Sequence, residues 1–275
     1  MQPQRFEHKY IIPNGVALQI RDFVSGPLEV DEYGKTLPNF SYPVHSLYLD
    51  SPDLKLYQST INGDKNRYKL RLRFYENRPD APVYFEIKRR MNNTIAKQRG
   101  GVRREAVSVL LGGQLPEPGH MVSRDPRQLL ALQRFCEHMN ALQAEPVAHV
   151  AYLREAWLSP GDNAVRVTMD RQVRIESETT DRLETSMADP VMVFNQETMQ
   201  GEESVVLELK FTSRYPDWFR DLVSGFGLMQ CGAAKYVDGM TRIMERLGAI
   251  GMRLRDPLVF ERGQERLRGA AALRE

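Results

Sequence analysis

Only two cysteines occur in the 275 residues, and Cys136 and Cys231 form no CxxC pair. Their scarcity excludes a disulfide framework and a cysteine zinc site; each falls in a helix-like segment and reads as a core thiol. Long apolar runs are lacking too, since none approaches the roughly 18 residues a membrane-spanning helix requires. Met1 to Tyr10 is charged where a signal peptide carries its apolar stretch, so the expectation is a cytoplasmic chain without membrane insertion. No sign of charge dominates: 38 Lys and Arg stand against 36 Asp and Glu, and a net +2 points to no partner by itself. Neither GxxxxGK followed by Ser or Thr nor GxGxxG is present, which excludes the P-loop and Rossmann modes of nucleotide binding. His8, His45, His120, His138 and His149 share no spacing, so neither a histidine metal centre nor a Ser-His-Asp arrangement is supported. No repeat and no linker interrupts the chain, and one elaborated domain over 1–250 with a C-terminal tail at 251–275 is expected.

What the sequence does contain is alternation. Residues 67–75 place Tyr68, Leu70, Leu72 and Phe74 on one face and Arg67, Lys69, Arg71 and Arg73 on the other, the period of a strand. At 83–90, Val83, Phe85 and Ile87 oppose Tyr84, Glu86, Lys88 and Arg90. Pro79, Asp80 and Pro82 lie between these runs as a turn, which predicts an antiparallel hairpin. Residues 205–211 set Val205, Leu207, Leu209 and Phe211 against Val206, Glu208 and Lys210. Residues 165–174 set Val165, Val167, Met169 and Val173 against Arg166, Thr168, Asp170 and Arg174. Further strands are expected at 5–12, 44–50, 101–109 and 147–157, and a long polar excursion at 176–204. Helical spacing marks 14–25, capped by Asn14, then 126–142 behind Asp125-Pro126, 216–226 behind Pro216, and 233–247.

The polar faces of these strands are unusual. Solvated sheet faces mix Thr, Ser, Gln, Glu and Lys, whereas here Arg and Lys dominate, in the patterns Arg5-x-Glu7-x-Lys9, Arg71-x-Arg73, Glu86-x-Lys88 and Glu208-x-Lys210. Like charges facing each other across strands are destabilising by about as much as a good pair stabilises, roughly 0.2–1 kcal/mol. A sheet curled with these faces inward would form a cationic channel whose field a chain of phosphates neutralises. Glu7, Glu86 and Glu208 each precede a lysine by two residues on these faces. Hard oxygen donors facing phosphates suit Mg²⁺ or Mn²⁺, and Glu208 is the foremost candidate ligand. Pairing with the neighbouring cations is the competing role for each. Nucleic acid is disfavoured because Tyr68 and Phe74 alternate away from Arg71 and Arg73, whereas a stacking platform needs rings and cations on one face.

The segments Arg5-Phe6-Glu7-His8-Lys9-Tyr10, Ser46-Leu47-Tyr48-Leu49-Asp50, Arg67 to Tyr75, Phe85-Glu86-Ile87-Lys88, Leu207-Glu208-Leu209-Lys210 and Ala234-Lys235-Tyr236 together resemble a known family. It is the VTC domain, the polyphosphate polymerase domain within the triphosphate tunnel metalloenzyme or CYTH-like superfamily. The resemblance covers about 4–247 and implies an α+β fold: an antiparallel β-barrel forming a cationic tunnel, flanked by helices. Lys9, Arg71, Arg73, Lys88, Lys97, Arg154, Arg166, Lys210 and Lys235 would be phosphate ligands, with Arg99 and Arg103 competing for the place of Lys97. Arg71, Arg73, Lys88 and Glu208 would be catalytic, and Glu208, Glu7 and Glu86 would face Mn²⁺ or Mg²⁺. The implied activity is transfer of the ATP γ-phosphoryl group to polyphosphate, with hydrolysis of triphosphate or non-enzymatic binding of polyphosphate as alternatives. Two departures stand out: Gly232 occupies the place of a second lysine, and Arg5 that of the first Glu of the superfamily's ExExK pattern. The SPX domain and membrane helices of the fungal subunits are not read in this sequence, so the resemblance carries no expectation about regulation or product translocation, and a partner subunit is left open.

Overall fold

The computed structural model describes residues 6–253, apart from 93, 162–163, 195–202 and 213, and of 249–253 the backbone alone. The strands are β1 (Phe6–Pro13), β2 (Glu29–Val30), β3 (Ser41–Asp50), β4 (Asn66–Phe74), β5 (Val83–Met91), β6 (Thr94–Val102), β7 (Glu145–Leu158), β8 (Val165–Ser177), β9 (Val191–Met192) and β10 (Ser204–Phe211). The helices are α1 (Asn14–Val24), α2 (Lys55–Ile61), α3 (Val107–Leu111), α4 (Pro126–Leu142), α5 (Asp217–Gly225) and α6 (Lys235–Arg253). The proposed domain boundary at 250 falls inside α6, and 254–275 as well as Arg5 lie outside the described residues. None of the described helices is long and apolar enough to cross a membrane.

All these strands join one antiparallel sheet in the order β1-β10-β8-β7-β3-β4-β5-β6, with β2 on β7 and β9 on β8. The sheet curls until β1 and β6, its two edges, approach within 8 Å between Cα atoms. No ladder joins these edges among the described residues, so the sheet curls without closing into a continuous barrel.

Two outward faces are covered by helices. Leu70, Leu72 and Phe85 pack against Leu132, Phe135 and Met139 of α4, where Gly100 admits the helix backbone: a Cβ there would lie 2.8 Å from the Gln128 carbonyl oxygen. Val167, Leu207 and Leu209 pack against Ile20 and Val24 of α1 and Phe219 and Leu222 of α5. The third cluster lies inside one end of the tunnel, where Tyr236, Val237 and Met240 of α6 meet Tyr48, Val150 and Val206. Buried on folding, each such large side chain contributes about 1.5–3 kcal/mol.

Several expectations need correction. Residues 101–109 are not a strand: β6 runs earlier, Thr94–Val102, and the chain then turns into α3, because Val107 and Leu110 bury one helical face. Asn14 makes no cap hydrogen bond; its Oδ1 accepts from Arg171 Nε at 3.0 Å. Val173 does not share a face with Val167. Gln172 takes a left-handed φ of 52° where the β7–β8 register slips, and Val173 joins the α6 cluster instead. Such a bulge re-aims the following side chains. Cys136 is buried as expected, whereas Cys231 is exposed in the loop before α6.

Candidate functional site

The curled sheet encloses a cavity of about 1140 Å³. Lys9, Arg71, Arg73, Lys88, Lys97, Arg154, Arg166, Lys210 and Lys235 all line it, drawn from seven strands and α6. Lys97 and Arg99 both face inward, two residues apart on β6; Arg103 lies beyond the strand and is exposed. Among the described residues thirteen Lys and Arg line the cavity against five Asp and Glu. Glu86 and Asp170 lie buried just beneath, which still leaves a net of six positive charges.

Each buried carboxylate is held by several cations. Glu86 accepts from Arg71 Nη2 at 2.7 Å and meets Lys97 Nζ at 2.8 Å, with Arg99 Nε 3.6 Å and Arg73 Nε 3.9 Å away. Glu208 accepts from Lys210 at 2.5 Å and Lys235 at 2.9 Å, and Arg154 and Lys9 stand 3.5 and 3.6 Å off. Asp170 receives Arg154 at 2.7 Å and Lys235 at 2.6 Å. Glu7 receives Lys88 at 2.9 Å and lies 3.4 Å from Lys9. Burial alone would raise these carboxyls, but the surrounding ammonium and guanidinium groups hold them below the ordinary carboxylate range.

Several of the lysines show the opposite imbalance. In register, Lys69 faces Lys88, Lys88 faces Lys97, and Lys210 faces Arg166. Burial, reinforced by Lys9 and Lys88, lowers Lys69 to about 7. Burial likewise lowers Lys97 to about 8 and Lys210 to about 7, with Glu86 and Glu208 respectively opposing the shift. Lys69 has no carboxylate within 4 Å among the described residues; its Nζ lies 5.9 Å from the centroid of the Tyr236 ring. Lys235, Lys9, Arg71 and Arg154 run the other way: burial lowers each, but Asp170 and Glu208 for Lys235, Glu7 and Glu208 for Lys9, Glu86 for Arg71 and Asp170 for Arg154 outweigh it and raise them. Arg73 donates Nη2 to Tyr152 Oη at 3.0 Å, while its buried Nε has no hydrogen-bond partner. A net positive charge of this size inside a curled sheet attracts anions and can be neutralised by several of them together.

Lys69 and Asp170 were not singled out from the sequence, although both lie on the polar faces read there. Asp170 shares the face of Arg166 and Thr168, but only the ladder with β10 puts it beside Glu208, and only the packing of α6 brings Lys235 to it.

With this geometry in view, the comparison with known proteins is decisive at the level of family. The VTC domain family profile matches residues 4–244. This chain belongs to the VTC domain family. Vacuolar transporter chaperone complex subunit 2 of Schizosaccharomyces pombe is 25% identical to this VTC domain over 227 residues. The match covers 73% of this chain and 31% of that subunit, so the chain spans about a third of its relative's length. Among solved structures, a protein described as a putative adenylate cyclase from Bacillus halodurans aligns over 84% of this chain and 93% of its own, with a TM-score of 0.47 and 12% identity. A second putative adenylate cyclase, from Vibrio parahaemolyticus, aligns over 85% and 96% with a TM-score of 0.40 and 12% identity.

Proposed function

We propose that this VTC domain binds the phosphate chain of ATP and of inorganic polyphosphate in its cavity and transfers the γ-phosphoryl group of ATP to the chain end. The observation that carries this reading is the net positive charge of the cavity, where thirteen Lys and Arg outnumber the carboxylates they share. In the transfer, the bond from the γ-phosphorus to its bridging oxygen breaks, a bond to a terminal oxygen of the chain forms, and ADP leaves. The transition state is loose and its charge lies on peripheral oxygens, so positioned cations stabilise it without a protein nucleophile. Arg71, Arg73 and Lys88, which line the cavity, would take this role.

Glu208 and Glu7 flank the same Lys9 ammonium at 3.6 and 3.4 Å, and both line the cavity. Two hard carboxylates beside phosphate oxygens fit Mg²⁺ or Mn²⁺, which would neutralise charge on the transferring group. Glu86 fits less well. Unlike Glu7 and Glu208 it does not line the cavity but lies fully buried beneath it, where Arg71 and Lys97 hold it. Its position supports the role of orienting Arg71.

The test is incubation with γ-labelled ATP and Mn²⁺, resolving long-chain product from free phosphate. Labelled polymer supports transfer, free phosphate alone replaces it with hydrolysis, and binding without turnover leaves a polyphosphate-binding module. Arg71→Ala and Arg73→Ala should each weaken tripolyphosphate binding about 10- to 150-fold, the worth of one charge-assisted hydrogen bond. Glu208→Gln should lower turnover and its dependence on Mn²⁺ while metal-free phosphate binding holds or tightens; wild-type rate and half-saturation would remove the metal role.

A further inference from the structure

One mouth of the tunnel is ringed by tyrosines that phosphate chemistry leaves unused. Ring centroids are 6.1 Å apart for Tyr33 and Tyr42, 6.4 Å for Tyr42 and Tyr75, and 6.3 Å for Tyr75 and Tyr84. All four line the cavity. The guanidinium carbon of Arg99 sits only 3.3 Å from the centroid of Tyr84.

Tyr33 is the informative member. It is 68% exposed, so core packing does not account for its ring. The turn that carries it is nevertheless held firmly. Asp31 Oδ1 accepts the Tyr33 N–H at 3.0 Å, and the Asp31 carbonyl accepts from Gly34 at 2.9 Å and Lys35 at 3.1 Å. Gly34 has no room for a side chain, since a Cβ would lie 2.4 Å from the Phe40 carbonyl oxygen. The other oxygen of Asp31 accepts from Arg166 at 2.8 Å and from the Tyr42 hydroxyl at 3.5 Å. An exposed ring is thus tied through one carboxylate to an arginine of the phosphate cavity.

Flat rings at the end of a cationic channel suit a ligand with a π face joined to an anionic tail. We propose that this collar is a nucleobase subsite: a nucleoside triphosphate threads its phosphates inward and leaves its base stacked on Tyr33 and the adjoining rings. Arg99 and Arg166, each in contact with a collar tyrosine, lie between base and inner phosphates and would take the first phosphate. Stacking tolerates any base because every base has a π face, and the larger purines cover more of a ring. The inference rests on the reading of the cavity as a phosphate site, from which the following experiment separates it.

ATP and tripolyphosphate are each titrated calorimetrically, in metal-free buffer, into wild type, Tyr33→Ala and Tyr33→Phe. Tyr33→Ala should weaken ATP binding by roughly five-fold or more, the lower range for loss of one stacking ring, and leave tripolyphosphate unchanged. Tyr33→Phe keeps the ring and should keep wild-type ATP affinity. The collar reading is overturned by unchanged ATP affinity in Tyr33→Ala, by an equal fall for both ligands, or by a loss in Tyr33→Phe as large as in Tyr33→Ala. Tight tripolyphosphate binding with unmoved ATP affinity would remove the collar alone. Failure of wild type to bind either ligand would remove the phosphate reading and the collar with it.

Discussion

Lys88 of β5 places its Nζ 2.9 Å from Glu7 Oε2 of β1, an ion pair across the seam between β1 and β6 that joins two strands sharing no ladder. The pair helps hold the curled sheet together near its open seam. It also cancels one of the cations proposed to meet phosphate, so the partners pull on ligand binding in opposite directions.

Glu7→Gln should therefore tighten metal-free tripolyphosphate binding, and Lys88→Met should weaken it by about five- to ten-fold, between the worth of an exposed ion pair and a buried charged hydrogen bond. Both variants should lower the melting temperature of the free protein, because each leaves one charge of a partly buried pair unmatched. A brace without a role in binding would show the stability losses with no change in affinity.

The depressed lysines make binding depend on pH. In the free protein Lys69 and Lys210 sit at about 7 and Lys97 at about 8, against 10.5 ordinarily. A bound polyanion favours their charged forms and raises these values. At about pH 6 the lysines are protonated with or without ligand; above about pH 7 binding must draw in protons, and affinity falls as pH rises. Calorimetry with ATP at about pH 8, in buffers of differing ionisation enthalpy, should show net proton uptake, since the phosphates of ATP are then already ionised. Uptake that is absent at pH 8 would mean that these lysines do not meet the ligand. For folding the sign reverses. Between the lowered values and 10.5 the unfolded chain binds more protons, so these lysines make the free protein more stable as pH rises through that window.

Gly232 lines the cavity in the loop before α6, and a Cβ built there meets no atom within 4 Å. Gly232→Lys should fit without strain and strengthen tripolyphosphate binding about two- to five-fold at low salt, the range of a solvent-accessible ion pair. The gain should vanish as ionic strength rises. A titration series in salt checks both statements; an affinity that does not move would place position 232 out of reach of the phosphates.

Much of this architecture is legible in single residues. The expected helix at 126–142 has the same bounds as α4, because Asp125 caps it, Pro126 opens it and Leu132, Phe135 and Met139 form one stripe. Alternation on β4, β5 and β10 assigns Arg71, Arg73, Lys88, Glu208 and Lys210 to polar faces correctly, since period two leaves each side chain only two directions. The same rule fails on β8, where the bulge at Gln172 turns Val173 inward and nothing local announces the extra residue.

Composition and periodicity determined which side chains share a face, and the excess of Arg and Lys on those faces determined that the site is cationic. Which faces meet was decided only by the tertiary structure. Strand order brings Glu208 between Lys9 and Thr168, the curl brings Lys88 to Glu7, and the turn at Asp31 brings Tyr33 over the mouth. These contacts join residues far apart in the chain, and their geometry depends on register and closure, which are properties of the whole sheet and not of any one strand.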